Sequence, residues 1–226
     1  MKIAADLGYK YVEFAGFFGN SAEDVKAWMD EYGVSCCSTH TGIPALKPDQ
    51  LEQTIQYHKT IGCDYLIVPG ADWSTEEKMN ENIDVMNYAL PILKEAGITL
   101  GYHNHSHEFI VNSYGKVLQD EIATRCPDIE FEIDTFWAFN ARLDPLEVLE
   151  RFKDRIRMIH LKDGIPAPVV GQHAPGRSLG EGEAPVKAVR ERALERGWQM
   201  VVESEGLSPT GPEEVGRCIS FLRSLD

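Results

Sequence analysis

Residues 156–163 read IRMIHLKD, an apolar run of strand length that ends in a histidine, a lysine and an aspartate. A strand buried on both faces reads as such a run, and the switch to ionisable residues marks the end where the chain leaves the interior. Similar runs, most of them ending in polar residues, occur at 11–16 (YVEFAG), 35–42 (SCCSTHTG), 65–70 (YLIVPG), 99–105 (TLGYHNH), 130–137 (EFEIDTFW) and 199–206 (QMVVESEG), so seven strands are expected. Charged segments with helical periodicity fill the gaps, at 21–32, 48–61, 75–96, 114–125, 144–153, 183–196 and 211–224. Ser21 and Asp144 are suited to open helices, and Gly33, Gly62, Gly97 and Gly197 to close them. This alternation predicts parallel strands joined by crossover helices, an α/β fold of the TIM-type (β/α) barrel kind.

A length of 226 residues with 43% hydrophobic content suits one barrel domain over 1–226, since such barrels commonly form one domain of roughly 200–250 residues. An ordinary barrel has eight strands. The opening MKIAADLG (1–8) reads as the last turns of a helix leading into a strand, so the expected barrel lacks the first strand of the usual eight. Either an N-terminal βα unit of about 25–35 residues is missing from the chain, or the barrel is open and its edge is covered by a partner chain or a subunit interface. A homo-oligomer is one way to cover it.

The formal charge of −14 argues against a nucleic-acid partner, which would demand clustered lysine and arginine. No run of about 18 apolar residues and no leader-like apolar segment occurs, so the chain is expected to be soluble, cytoplasmic and without a membrane partner. The five cysteines, Cys36, Cys37, Cys63, Cys126 and Cys218, form no C-x-x-C pair and read as small core residues in a reducing compartment.

Polar residues gather at strand ends: Glu13, His40, His103 to Glu108, Asp134, His160 with Lys162 and Asp163, and Glu203 with Glu205. In a barrel those ends form the rim where active sites are built. The segment LGYHNHSHEF (100–109) alone holds three of the seven histidines, a crowding that needs partners or chemistry to sustain it. His103 and His105 alternate with Asn104, so on a strand the two imidazoles share one face. Asp134, His160 and Glu203, at the ends of three successive strands, offer O, N and O donors suited to Mn²⁺, Mg²⁺, Co²⁺ or Zn²⁺. Glu108 from the preceding strand would complete four ligands, and hard oxygen donors favour Mn²⁺ or Mg²⁺. The competing structural reading is a buried polar network bracing the barrel mouth.

The chain resembles the sugar phosphate isomerase/epimerase family of xylose-isomerase-like barrels. The resemblance runs through LGYKYVEFAG, THTG, GYHNHSHEF, IDTFWAFNARLDPLEVLERF, RMIHLKDG, SLGEGEAPVKAV and VVESEG, in that order, and covers almost the whole chain. It implies a divalent metal held by Glu, Asp, His and Glu from four consecutive strands, with the two glutamates flanking the substrate carbon whose proton moves. Asp134, His160 and Glu203 match their motifs directly. Relatives that carry the first glutamate inside the strand have His or Tyr at the corresponding place here, so His103 or His105 is the alternative to Glu108 as fourth ligand.

The chemistry accounts for the residue types. A proton alpha to a carbonyl is too weakly acidic for a carboxylate unless the developing enediolate oxygen is stabilised, which a chelating metal does. Glu108 and Glu203 are then the candidates for proton removal and return, Lys162 for stabilising the alkoxide or enolate, His105 with His103 for donating to sugar hydroxyls or orienting a ligating carboxylate in catalysis, and Glu13, His40, His103, Trp137 and Arg177 for holding a sugar. Phe136 and Phe139 could extend the apolar platform beside Trp137. Arg177 lies in the long Gly- and Pro-rich segment 164–182, which reads either as a loop closing over substrate or as a tether. His58 and His173 read as surface or loop residues, and His107 as lying beyond its strand. The expected activity is metal-dependent isomerisation or epimerisation of a keto-sugar. Dehydration or elimination from a keto-polyol or keto-glycoside, an abasic-site endonuclease (opposed by the charge) and a non-catalytic, partner-dependent sugar-binding barrel are the competing readings.

Overall fold

The computed structural model describes residues 1–205 and 210–226. Its strands are β1 (Tyr11–Phe14), β2 (Ser35–His40), β3 (Tyr65–Val68), β4 (Thr99–His103), β5 (Glu130–Asp134), β6 (Ile156–Leu161), the two-residue β7 (Asp163–Gly164) and β8 (Gly176–Arg177), and β9 (Gln199–Val202). Its helices are α1 (Lys2–Leu7), α2 (Ala22–Tyr32), α3 (Leu51–Ile61), α4 (Glu76–Glu95), α5 (Leu118–Arg125), α6 (Thr135–Asn140), α7 (Pro145–Phe152), α8 (Val186–Arg196) and α9 (Gly211–Arg223). The strand order in the main sheet is β1-β2-β3-β4-β5-β6-β9, while β7 and β8 pair antiparallel beside it. Sequential parallel strands with helical crossovers are the arrangement of a (β/α) barrel, here with seven strands where eight are usual.

The chain forms two compact units, residues 1–103 with 113–115 and 120–130, and residues 104–112 with 116–119 and 131–226. In the first, β1 to β4 pair in parallel, with Thr39 opposite Leu66 and Tyr65 opposite Thr99. All four residues of β3 are 0% exposed, which is why this strand reads as an unbroken apolar run. Gly101 on β4 is required by packing: a Cβ there would meet the Tyr65 hydroxyl at 2.5 Å. Against the outside of these strands, α2 contributes Ala22, Val25 and Met29 to a core with Val34, Ile61 and Cys63. In the second unit β5, β6 and β9 are parallel, with Asp134 level with His160 and His160 level with Val201.

Helix signals hold closely. Ser21 accepts a hydrogen bond from the Asp24 amide and Asp144 from the Leu146 amide, and Gly33, Gly62 and Gly197 close their helices in the left-handed conformation. Gly97 also has positive φ but follows the Ala96 cap. The opening residues form α1, closed by Gly8, as their pattern implies.

Several boundaries differ from expectation. The strand expected over 130–137 stops at Asp134, because the Asp134 carboxylate accepts from the Trp137 amide and starts α6. The strand expected over 156–163 stops at Leu161, and Asp163 turns away to pair with Arg177. The helix expected over 114–125 begins at Leu118, after an antiparallel bridge between Val111 and Val117. β1 ends at Phe14, ahead of the positive-φ Gly16, and β4 ends at His103. β9 ends at Val202, and Gly206, the last residue of the expected strand, lies outside the described residues. Cys37, Cys63, Cys126 and Cys218 are buried and Cys36 partly so, all as free thiols. Among the described residues no helix is long and apolar enough to cross a membrane.

Candidate metal and proton-transfer centre

The second unit brings Asp134, His160 and Glu203 together. Asp134 ends β5, His160 sits level with it on β6, and Glu203 follows β9, its amide extending the pairing to the Leu161 carbonyl at 3.2 Å. His160 Nδ1 lies 3.9 Å from Asp134 Oδ2 and 3.6 Å from Glu203 Oε2. On the other edge of the ring, Nε2 lies 3.1 Å from Glu132 Oε1. Glu132, Asp134 and His160 are all 0% exposed. Asp134 is further fixed by Asn104, whose side-chain amide grips the Asp134 backbone with two 3.1 Å hydrogen bonds. Asp134 Oδ1 accepts from the Trp137 amide at 2.9 Å, whereas buried Oδ2 has no hydrogen-bond partner among the described residues.

Burial raises the Asp134 carboxyl above the ordinary aspartate value, opposed by the charges of Lys162 and His160. Glu203 is raised for the same first reason, with His160 and Lys162 again opposing. Glu205 goes the other way: burial pushes it up, but the Lys162 ammonium outweighs this and holds it below the ordinary glutamate value. Two carboxylates two residues apart are thus driven in opposite directions, as in sites that divide proton donor from proton acceptor. Lys162 itself is 1% exposed; its ammonium pairs with Glu205 and stands 4.3 Å from the centre of the Trp137 ring.

Glu108 lies in a one-turn 3-10 segment, His107–Phe109, and is fully buried. Its Oε2 accepts from the His105 amide at 2.8 Å, and its Oε1 lies 3.2 Å from His107 Nε2. Donor atoms of His105, His107 and Glu108 fall within 4.8 Å of one another, and the two imidazoles stack 5.7 Å apart. Burial pushes the Glu108 carboxyl up, but the His107 hydrogen bond and the charges of His107 and His105 leave it below the ordinary value. The same hydrogen bond raises His107. His105 also faces Trp137, ring centres 5.7 Å apart. The alternation that would place His103 and His105 on one strand face ends with β4 at His103, and Asn104 turns its side chain to Asp134.

In the first unit, His40 Nε2 lies 3.2 Å from Glu13 Oε1, the Ser38 hydroxyl donates to Glu13 Oε2 at 2.5 Å, and the His40 and His103 rings are 4.9 Å apart. Glu13, His40 and His103 therefore form a linked polar group at the ends of β1, β2 and β4. His58 corrects its expectation as a surface residue. It is 1% exposed, with Nδ1 at 2.7 Å from the Thr54 carbonyl and Nε2 at 2.7 Å from the Thr39 hydroxyl, inside the packing of α3 on β2. His173 is exposed, 5.8 Å from Trp137.

The platform residues divide. Phe136 is 0% exposed and Trp137 5%, both packed with Ala167 and Ala174, so Phe136 is core; Phe139 is partly buried against them. The segment 164–182 is tied down by Asp163, whose carboxylate accepts from the amides of Gly164, Gly180, Gly182 and Ala184 at 2.8–3.1 Å. Arg177 lies opposite Asp163 in the β7–β8 pair. A Cβ at Gly182 would meet Asp163 Oδ1 at 2.1 Å, so the loop closes this tightly only on glycine. A cavity of 460 Å³ lined by Phe139, Arg142, Leu143, Asp144, Pro166 and Glu183 contains none of the ionisable centre, so the chemistry of the side chains and not the volume locates the site.

Sequence reasoning missed Asn104, Glu132 and the pairing of Glu205. Glu132 carried a signal: in EFEID it shares a strand face with Asp134, and an acidic residue amid an apolar run is costly unless partnered. Asn104 sits in plain view between two histidines, but nothing in its own neighbourhood points to a backbone 30 residues away.

A family model described as the xylose isomerase-like TIM barrel matches residues 1–225. The inosose dehydratase of Geobacillus kaustophilus (strain HTA426) is 26% identical over 183 residues, covering 70% of this chain and 59% of that protein. The chain thus spans less than two thirds of that relative's length. Among solved structures, a sugar phosphate isomerase/epimerase from Parabacteroides distasonis superposes with a TM-score of 0.76 at 21% identity, covering 98% of this chain and 85% of its own. A xylose isomerase domain protein from Planctomyces limnophilus gives 0.77 at 16% identity, over 99% and 90%. The probable 3-DHS dehydratase of Bacillus anthracis gives 0.74 at 10%, over 98% and 91%. At such identities the structural likeness speaks for the fold.

Proposed function

Because the chain belongs to the xylose isomerase-like TIM barrel family, we propose that it is a divalent-metal-dependent isomerase or epimerase moving a proton alpha to the carbonyl of a keto-sugar or sugar derivative. The observation that carries this is the meeting of Asp134 Oδ2, His160 Nδ1 and Glu203 Oε2 within 3.9 Å of the histidine nitrogen. A buried carboxylate oxygen without a hydrogen-bond partner, on a group whose charged form burial disfavours, is what a cation would satisfy. The fit is chemical as well: one imidazole among carboxylates suits Mn²⁺ first, with Mg²⁺, Co²⁺ or Zn²⁺ as substitutes. Glu108 is the proposed fourth donor, since a carboxylate retains acceptor capacity after two hydrogen bonds.

A divalent ion held by these residues would polarise the substrate carbonyl and lower the cost of charge on its oxygen. The protein's own groups supply the rest. Glu203 would take the α-proton on the carboxylate oxygen that does not face His160. Glu108, held ionised by His107, is the second proton carrier. Return by the group that removed the proton gives isomerisation, and return from the opposite face gives inversion. Lys162, fixed by Glu205 and the Trp137 face, donates toward the developing alkoxide, and His105 lines the same wall. Glu13, His40 and His103, already linked to one another, and Arg177 are the proposed contacts to sugar hydroxyls.

The 26% identity to an inosose dehydratase favours one second reading, elimination of water from a keto-polyol after the same proton removal, with Lys162 protonating the leaving hydroxyl. Incubation of Mn²⁺-loaded protein with keto-sugars and inososes in D₂O separates the two. Deuterium at the α-carbon with no mass lost as water marks the isomerase, and release of water marks the dehydratase. No exchange into any of them, with any of the four metals, sinks both.

A further inference from the structure

We propose that Asn140 is a positioning residue that sets His105 and His173 around the Trp137 ring, and that His173 is thereby a further contact to sugar hydroxyls. The sugar belongs to the reading above; the placement of the two histidines rests on hydrogen bonds within the second unit. Asn140 is 0% exposed and is the last residue of α6, one turn after Trp137, so one helix face carries both the ring and the clamp. Its side-chain amide donates to the Ser106 hydroxyl at 2.9 Å and to the Gln172 carbonyl at 3.0 Å, and its side-chain oxygen accepts from the Ala167 amide at 2.8 Å. The Ser106 hydroxyl in turn donates to the Trp137 carbonyl at 2.8 Å. Asn140 thus ties together segments that lie 27 to 34 residues away from it along the chain.

The places of those partners in the chain give the clamp its use. Ser106 follows His105, and Gln172 precedes His173. Both imidazoles face the same indole, at ring-centre distances of 5.7 Å and 5.8 Å, and Lys162 Nζ stands 4.3 Å from the centre of that ring. Trp137 is only 5% exposed whereas His173 is exposed, so the indole is a backing wall and His173 is the member of the pair and wall that a solute reaches most readily. A neutral imidazole offers one donor and one acceptor, which matches a hydroxyl that both donates and accepts. Asn140 pins the loop at Ala167 and Gln172, between Gly164 and Gly180, where Asp163 holds the same loop. Arg142 adds a brace by donating to the Asn140 carbonyl at 3.3 Å and to the Ala167 carbonyl. His173 is therefore carried on a fastened stretch of the loop.

The test is a double-mutant cycle with two readouts. In ligand-free protein, nuclear Overhauser contacts between the His173 and Trp137 ring protons are expected in the wild type and should be lost in Asn140→Leu, which keeps the size of the side chain and removes its hydrogen bonds. Binding is read by calorimetric titration of Mg²⁺-loaded protein with an inosose and, separately, with D-fructose. His173→Ala, at an exposed position, should weaken binding of the probe that the wild type takes by about 2–10-fold, the scale of one net neutral hydrogen bond, and His173→Gln, which keeps an N–H donor, should recover most of it. Asn140→Leu should weaken binding at least as much, and the double variant should lose less than the product of the two single losses, because the clamp acts through that ring. Unchanged affinity in His173→Ala overturns the proposal, as does a double variant that loses the full product, or ring contacts that persist in Asn140→Leu. If the wild type binds neither probe, the sugar reading fails and takes the His173 contact with it, while the ring contacts still decide the positioning role. If Asn140→Leu does not fold, the wild-type ring contacts and the two His173 variants decide.

Discussion

Asp134 does two jobs with its two oxygens. Oδ1 caps α6 through the Trp137 amide, ending the strand and starting the helix, while Oδ2 is turned to His160. These jobs can be separated. Asparagine is as good an N-cap as aspartate, so Asp134→Asn should keep α6 and change stability by less than about 1 kcal/mol, while lowering Mn²⁺ affinity by about 100-fold or more, beyond the loss typical of an outer partner. Calorimetry of both proteins with and without Mn²⁺ checks this; equal affinity would remove Asp134 from the ligand set. Lys162 shows the opposite economy, since one ammonium lowers Glu205 through direct contact while opposing the rise of Asp134 and Glu203 at longer range. The residue types at these positions were legible from strand ends alone. Which oxygen faces which nitrogen was not, because that depends on side-chain torsions set by contacts such as the Trp137 amide on Asp134 Oδ1.

At the scale of elements, helix caps were read correctly because capping is local: a serine or aspartate bonds amides two or three residues on. The pattern over 130–137 reads as one strand because TFWAFN is aromatic and β-like in composition, and only the Asp134 cap turns it into α6. From sequence the segment 164–182 reads equally as a closing loop or a tether, and in the fold four amides converge on the Asp163 carboxylate and hold it down. Asp163→Ala should leave those amides without their acceptor and destabilise the protein by about 2–4 kcal/mol, the scale of losing charge-assisted hydrogen bonds in a buried setting. Urea unfolding measures that loss, and hydrogen exchange should speed up at Gly180, Gly182 and Ala184. Gly101→Ala should cost about 1–3 kcal/mol by forcing Cβ into the Tyr65 ring; a variant as stable as wild type would mean that Tyr65 can move aside.

For the whole molecule, the metal reading has a thermodynamic consequence. An ion that binds only the folded chain stabilises it by about 2.7 kcal/mol at a hundredfold excess over Kd, so Mn²⁺ should raise the melting temperature and EDTA reverse it, with no such shift in His160→Gln. His58 adds a pH term of definite sign. Burial depresses its folded pKa below the ordinary value of 6.5, so the unfolded chain binds a proton first. Its stabilising contribution is therefore full above about pH 6.5 and is lost as pH falls below it. Urea midpoints at several pH values should fall less steeply in His58→Gln than in the wild type; parallel curves would refute the assignment. The sequence by itself determined the strand–helix alternation, seven strands in chain order, the caps at Ser21, Asp144, Gly33, Gly62 and Gly197, and Asp134, His160 and Glu203 as a group, because each rests on short-range periodicity or on one residue type closing an apolar run. Tertiary structure alone decided that Glu132 takes the far side of the His160 ring, that His58 is interior, and that Glu203 and Glu205 are driven apart in acidity. Those outcomes depend on burial and on contacts between segments tens of residues apart, which no local pattern encodes.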